Sequence, residues 1–184
     1  MLVLTKALGT GVVLAAAAAR LTKGRHVQAA LDSMLVHNAA AAGVMARFNV
    51  RAVTDVSGFG LLGHAAAMAS ASGVRVEIDA GAVPLLPGVR EAIEANVRSS
   101  LHEDNVALAV AAGVEGSALE GLGAVLVDPQ TSGGFLVGVA ADTVQQLVGA
   151  LREAGYQHAT VVGLVVEGQG VAVSGDGFRG ACTA

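Results

Sequence analysis

The chain has 184 residues, 53% of them hydrophobic, 14% charged and 3% aromatic, and carries a net charge of −4. That composition supports a compact core of Ala, Val and Leu; it excludes a disordered segment and a nucleic-acid partner, because Lys and Arg are scattered singly with no basic patch interleaved with aromatics. Cys182 is the only cysteine, which excludes an internal disulfide framework and a cysteine-based zinc cluster and suits a reducing cytoplasm.

Residues 2–5 read as a short strand leading to the turn Gly9-Thr10-Gly11 and an Ala-rich helix over residues 12–21. Lys6 and the apolar run at residues 7–19 look superficially like a signal peptide. However, Gly9 and Gly11 interrupt the run, and Arg20 stands where a small-residue cleavage site belongs. The run also falls short of the roughly 20 apolar residues that a bilayer requires, so no membrane is implied. From residue 25 to 48, Val27, Leu31, Met34, Leu35, Ala42 and Met45 recur at three- and four-residue steps, predicting one long helix with a buried face and a bend or close contact at Gly43.

Residues 50–54 predict a strand and 59–72 a helix stopped by Gly73, after which Val74, Val76 and Ile78 alternate with polar residues as a half-buried strand. Pro84 and Pro87 bracket a turn before a helix at 89–97; residues 98–123 show no clear period. Residues 124–127 predict a strand entering Asp128-Pro129-Gln130-Thr131-Ser132-Gly133-Gly134, and 135–139 the strand leaving it. Asp142 is expected to cap a helix reaching Ala154 that stops at Gly155, and residues 161–166 and 170–173 to form a terminal hairpin. Strands and helices mixed without strict βαβ alternation predict an α+β fold, a mixed or antiparallel sheet layered with helices. One domain is expected over residues 1–174, with a tail at 175–184.

Two segments share a design that could carry chemistry. Asp55 precedes Ser57-Gly58-Phe59-Gly60, and Asp128 precedes Thr131-Ser132-Gly133-Gly134, each next to a strand and each rich in hydroxyls and glycine. Glycines let a backbone approach an anion, and amides at a helix start point N–H groups at negative charge. Asp55 would repel a bare phosphate unless Mg²⁺ lay between them, since that ion takes one or two carboxylates and fills its other positions with phosphate oxygens and water. Taken alone, the segment is equally compatible with an Asp helix cap followed by flexible glycines. Gly58, Gly60 and Gly63 fit the Gly-x-Gly-x-x-Gly dinucleotide pattern by letter, but no acidic residue follows convincingly on a next strand, and no Walker A loop is present. His64 reads more readily as a packed histidine than as a phosphate contact, and Lys6 as a solvated surface lysine. His26, His37, His102 and His158 show no ligand spacing.

Together, Leu2-Val3-Leu4-Thr5-Lys6-Ala7-Leu8-Gly9-Thr10-Gly11, Thr54-Asp55-Val56-Ser57-Gly58-Phe59-Gly60-Leu61-Leu62-Gly63-His64 and Asp128-Pro129-Gln130-Thr131-Ser132-Gly133-Gly134 occur in the order seen in selenophosphate synthetase (selenide, water dikinase). The chain resembles the C-terminal domain of that enzyme, within the superfamily of aminoimidazole ribonucleotide synthetase, over nearly its whole length. The resemblance implies that superfamily's C-terminal-domain fold. It also implies ATP-dependent conversion of selenide and water to selenophosphate, AMP and phosphate, with Mg²⁺ required. By the same resemblance Asp55 is a magnesium ligand, while Gly58, Gly60, Thr131, Ser132 and Gly133 are candidate nucleotide-binding positions. The family's N-terminal domain, with its reactive cysteine or selenocysteine and remaining metal ligands, has no counterpart here, and Cys182 lies at the wrong end to replace that cysteine. The expectation is therefore a domain without catalytic residues of its own, inactive alone, whose partner is the missing half of a homodimeric, cytoplasmic enzyme. Ala7, Ser57, Ala67 and Phe135 depart from common family residues without removing a proposed ligand, and residues 98–105 lack the glycine-rich form of some members. A hydrogenase-maturation or thiamine-phosphate kinase type of the same superfamily is the alternative, disfavoured by the segment at 128–134. A noncatalytic scaffold is the alternative of another class. A mean hydropathy of +0.62 suggests an exposed apolar face for the missing domain.

Overall fold

The computed structural model describes residues 1–175. Six strands form one sheet: β1 (Leu2–Leu4), β2 (Ala52–Asp55), β3 (Arg75–Asp79), β4 (Phe135–Gly138), β5 (Thr160–Val166) and β6 (Gly170–Ser174), in the order β2-β4-β1-β5-β3-β6. All neighbours are antiparallel except β3 and β6, which run parallel, so the sheet is mixed. Among the described residues seven α-helices accompany the sheet: α1 (Thr10–Ala18), α2 (Gly24–Leu35), α3 (Ala39–Arg47), α4 (Gly60–Ser72), α5 (Val89–Glu94), α6 (His102–Ala111) and α7 (Val144–Glu153). The alternation of side chains along each strand divides the core. Leu2, Leu4, Leu136, Val162, Val76 and Ile78 point to a large cluster that includes Val13, Leu61, Leu62 and Val89. Val3, Val137 and Val161 point to a smaller one with Val44, Leu147 and Leu151.

Helix α4 shows how local sequence sets these bounds. Gly73 takes the left-handed conformation (φ 64°) that glycine adopts without strain, and the chain closes with Gly73 N–H on Ser70 O at 3.3 Å and Val74 N–H on Ala69 O at 3.1 Å. This is the bonding of a Schellman stop, and it delivers Val74 directly to β3.

Four expectations need correction. The long helix at 25–48 is two helices, because the carbonyls at the break are held by distant side chains: Lys6 Nζ donates to Val36 O at 2.7 Å, and Tyr156 Oη donates to His37 O. Residues 124–127 belong to a 3₁₀ helix, Gly121–Val127, rather than a strand; in a short, fully buried apolar run, helix and strand are indistinguishable by period. The terminal hairpin is absent, since β5 and β6 flank opposite edges of β3. Asp142 does not cap α7: Thr143 occupies that position, and no side chain bonds the helix start. The segment without a period, 98–123, contains α6 and a 3₁₀ turn at Gly116–Leu119. Residues 176–184 of the expected tail, with Cys182, lie outside the described residues.

Candidate functional site

Strand β2 is an edge strand, and Asp55 ends it in register with Phe135, where β4 begins. The side chain of Asp55 is exposed, and among the described residues no hydrogen bond reaches its carboxylate. Beyond it, Val56 N–H donates to Gly134 O at 2.8 Å and Gln130 N–H donates to Ser57 O at 2.9 Å. The two glycine turns thus lie side by side.

How each turn is held separates the residues that could meet a ligand from those that build the scaffold. Gly60 N–H donates to Ser57 O at 3.0 Å, and Thr131 N–H donates to Thr10 Oγ1 at 2.9 Å, so neither amide is available to an anion. The backbone N–H groups of Gly58, Ser132 and Gly133 carry no hydrogen bond among the described residues. Gly60 has a packing reason to be glycine: its φ is +67° and a Cβ would come within 2.6 Å of the Val127 backbone. Gly133 would set a Cβ 2.0 Å from Val56 O, whereas Gly58 faces open space.

His64, one turn into α4, bonds both sides of Asp55. Its Nε2 accepts from Ser57 N–H at 3.1 Å and lies 3.1 Å from Ser57 Oγ, while its Nδ1 lies 3.4 Å from Thr54 Oγ1. The ring tilts against exposed Phe59, with centroids 5.6 Å apart. Burial lowers its pKa, against a smaller upward pull from the Asp55 charge. Asn105 of α6 adds a second tie, donating to Gly58 O and Val127 O, each at 2.9 Å.

Lys6 is only 5% exposed, contrary to the expected solvated lysine. Its ammonium donates to Ser33 O (3.1 Å), Val36 O (2.7 Å) and Ser132 O (2.9 Å), which uses all three of its protons on carbonyls and leaves none for a phosphate. Burial lowers its pKa. The Asp128 carboxylate is likewise structural. Oδ2 accepts from Gly11 N–H at 3.1 Å and from Gln130 Nε2 at 2.9 Å. Gln130 Oε1 accepts from Gly9 N–H (3.0 Å) and Thr10 N–H (3.2 Å). The helix-start amides of α1 are therefore consumed by the segment 128–134, and burial raises the Asp128 pKa to about 7 against those donors. Of the two aspartates that head the turns, only Asp55 is open to a ligand.

These ties place the segments at 2–11, 54–64 and 128–134 around one corner of the sheet. Residues 1–176 match the family described as AIR synthase related protein, C-terminal domain. The chain belongs to that family. Among curated proteins it is 38% identical over 167 residues to a selenide, water dikinase of Pelobacter propionicus (90% of this chain, 48% of the relative) and 37% identical over 170 residues to one of Geobacter metallireducens (89% and 48%). The chain thus spans about half the length of these relatives. Among solved structures it resembles E. coli HypE, a hydrogenase maturation protein (TM-score 0.71, 21% identity, 96% of this chain and 46% of that one). It also resembles thiamine-monophosphate kinase from Stenotrophomonas maltophilia (TM-score 0.57, 20% identity, 97% and 50%). These likenesses agree on the α+β fold of the family. The two selenide, water dikinases match at higher sequence identity than either of these structures.

Sequence reasoning missed Gln130, Asn105 and the internal role of Lys6. A glutamine buried in a glycine turn and an asparagine in an Ala/Val helix are polar residues in apolar settings, which is the signal for a satisfied buried amide. The donor set fits Mg²⁺ only in part. Asp55 offers one unbonded carboxylate, and no group of three or more His, Cys, Asp or Glu that could hold a metal occurs among the described residues. A cavity of about 590 Å³ bordered by Met68, Val76 and Phe48 lies at the Ala52 end of β2, the end opposite Asp55, and contains none of the site residues. Among the described residues no helix is long and apolar enough to cross a membrane.

Proposed function

We propose that this chain acts as the C-terminal half of a selenide, water dikinase, making selenophosphate, AMP and phosphate from ATP, selenide and water. Asp55 supplies one ligand to the Mg²⁺ of a composite nucleotide site. The observation that carries the reading is the contrast between the two aspartates: Asp128 is buried and bonded, while Asp55 stands exposed on an edge strand, its carboxylate and the nearby amides of Gly58, Ser132 and Gly133 without a hydrogen bond among the described residues.

When bound, Mg²⁺ neutralises nucleotide phosphate oxygens and orients them for transfer. This chain's own part is to hold the Asp55 carboxylate at the sheet edge on a turn tied by His64, Asn105 and Gln130, and to offer backbone N–H donors next to it. Thr131 and Ser132, both exposed, lie in the adjoining turn. Proton transfer and the remaining metal ligands belong to the other half of the enzyme, assembled as a cytoplasmic homodimer. A different ATP-using member of the superfamily is the second reading, and the 38% identity to a selenide, water dikinase favours the first.

The test mixes the chain with the N-terminal half of a selenide, water dikinase relative and measures AMP formation with and without selenide. Selenide-dependent AMP in the mixture, and none from either half alone, supports the reading. AMP that forms equally without selenide would move the chain to another ATP-using enzyme.

A further inference from the structure

We propose that His64 is a positioning residue for Asp55. It bridges the backbone on either side of Asp55 by hydrogen bonds and so sets how firmly the turn holds a divalent cation; the cation part rests on the metal-ligand reading of Asp55.

The backbone N–H of Ser57 can only donate. Its bond to Nε2 therefore requires a lone pair there, and the neutral ring carries its proton on Nδ1. Nδ1–H faces Thr54 Oγ1 at 3.4 Å, and Thr54 Oγ1 in turn donates to Asp55 O at 3.1 Å. The bonds run in one direction, from the amide two residues after Asp55, through the imidazole, to the carbonyl of Asp55 itself. Residues 54–57 are thereby bridged at both ends by one side chain.

Asp55 needs such a bridge. Its carboxylate has no hydrogen bond among the described residues, so the direction in which it leaves the sheet depends on the backbone on either side. Side chains that present a metal ligand are held by a surrounding shell of hydrogen bonds, and loss of that shell weakens metal binding. A histidine that merely filled space could be replaced by leucine. Here leucine would leave Ser57 N–H unpaired beside a half-buried ring site. The same geometry argues against His64 as a phosphate contact, because a donor at Nε2 would oppose Ser57 N–H.

The experiment uses the 184-residue chain, ¹⁵N-labelled, with Mn²⁺ as the probe. A long-range ¹H–¹⁵N spectrum is expected to show the His64 proton on Nδ1; a proton on Nε2 overturns the proposal without any variant. In H64L, Ser57 amide exchange should be at least about tenfold faster, while H64Q, which keeps an acceptor, should stay within about threefold of the unmodified chain. With the N-terminal half of a selenide, water dikinase added to complete the composite site, broadening by Mn²⁺ should include residues 54–58 in the unmodified chain and H64Q, and require about threefold or more Mn²⁺ in H64L. An H64L chain with unchanged Ser57 protection and unchanged Mn²⁺ midpoint overturns the positioning role. Absence of Mn²⁺ broadening at residues 54–58 in the mixture with the N-terminal half overturns the metal reading instead, and with it the cation part of the proposal; the exchange data judge the bridge separately.

Discussion

Replacing Asp128 by asparagine should flatten the pH dependence of stability between about pH 4 and 7. Asp128 is 3% exposed, and burial raises its pKa from 3.8 to about 7 even though Gly11 N–H, Val12 N–H and Gln130 all donate to it. A raised acid pKa means that the folded state binds the proton more tightly than the unfolded state, so stability falls as pH rises through this window. Below the unfolded value both states are protonated and the carboxyl is neutral; above about 7 both are ionised, and only the folded state bears an almost dehydrated charge. Each pH unit between the two values is worth about 1.4 kcal/mol, which makes the loss about 4 kcal/mol in total. That is a large part of a domain stability of about 5–15 kcal/mol. The assay is urea unfolding at a series of pH values. With a slope near about 2 kcal/mol per M, the unmodified midpoint should fall about 2 M further than that of D128N between about pH 4 and 7.5. Other carboxyls titrate in the same range, but they are common to both chains and cancel in the difference. The amide in D128N loses some bonding at every pH, so the slope, not the absolute stability, is diagnostic. Parallel curves for the two chains, or a difference that grows with acidity, would refute a buried, proton-retaining Asp128.

Lys6→Met keeps the stem and removes three N–H donors from Ser33 O, Val36 O and Ser132 O; it should cost about 2–4 kcal/mol in urea unfolding. Gly60→Ala forces a Cβ to within 2.6 Å of the Val127 backbone at φ +67° and should cost about 2 kcal/mol or more. Gly58→Ala meets open space and should change stability by less than about 1 kcal/mol. Equal costs at the two glycines would contradict the division between packing and open positions. Leu147→Ala empties a fully buried site between α7 and the sheet and should lower stability by about 2–5 kcal/mol, read by thermal or urea unfolding.

Where the period was long and the stop chemistry clear, the fold was legible in the residues: α4 with Gly73, β3 with its alternating Val76 and Ile78, the strand β2 that enters the first glycine turn and the strand β4 that leaves the second. The break at 36–38 was not, because it is imposed by Lys6 and Tyr156, residues far away in sequence. Neither was the order β5-β3-β6, since a short loop favours a hairpin locally and only packing across the whole sheet decides otherwise. At the site, the two turns stand out in sequence by their shared composition, while their adjacency comes from the bonds Val56 N–H to Gly134 O and Gln130 N–H to Ser57 O. The turns' division of labour could not be foreseen, because Asp55 and Asp128 look alike in sequence and differ only in what surrounds them: solvent at one, and the start of α1 with Gln130 at the other.

Asp55→Ala, measured for folding and for activity in the same preparation, tests the metal-ligand role most directly. Asp55 is exposed and its carboxylate has no hydrogen bond among the described residues, so the variant should unfold within about 0.5 kcal/mol of the unmodified chain. Mixed with the N-terminal half of a selenide, water dikinase, it should lose at least about a hundredfold of the selenide-dependent AMP formation, with partial recovery at high Mg²⁺. Activity equal to that of the unmodified chain at limiting Mg²⁺ would contradict Asp55 as a ligand of the composite site.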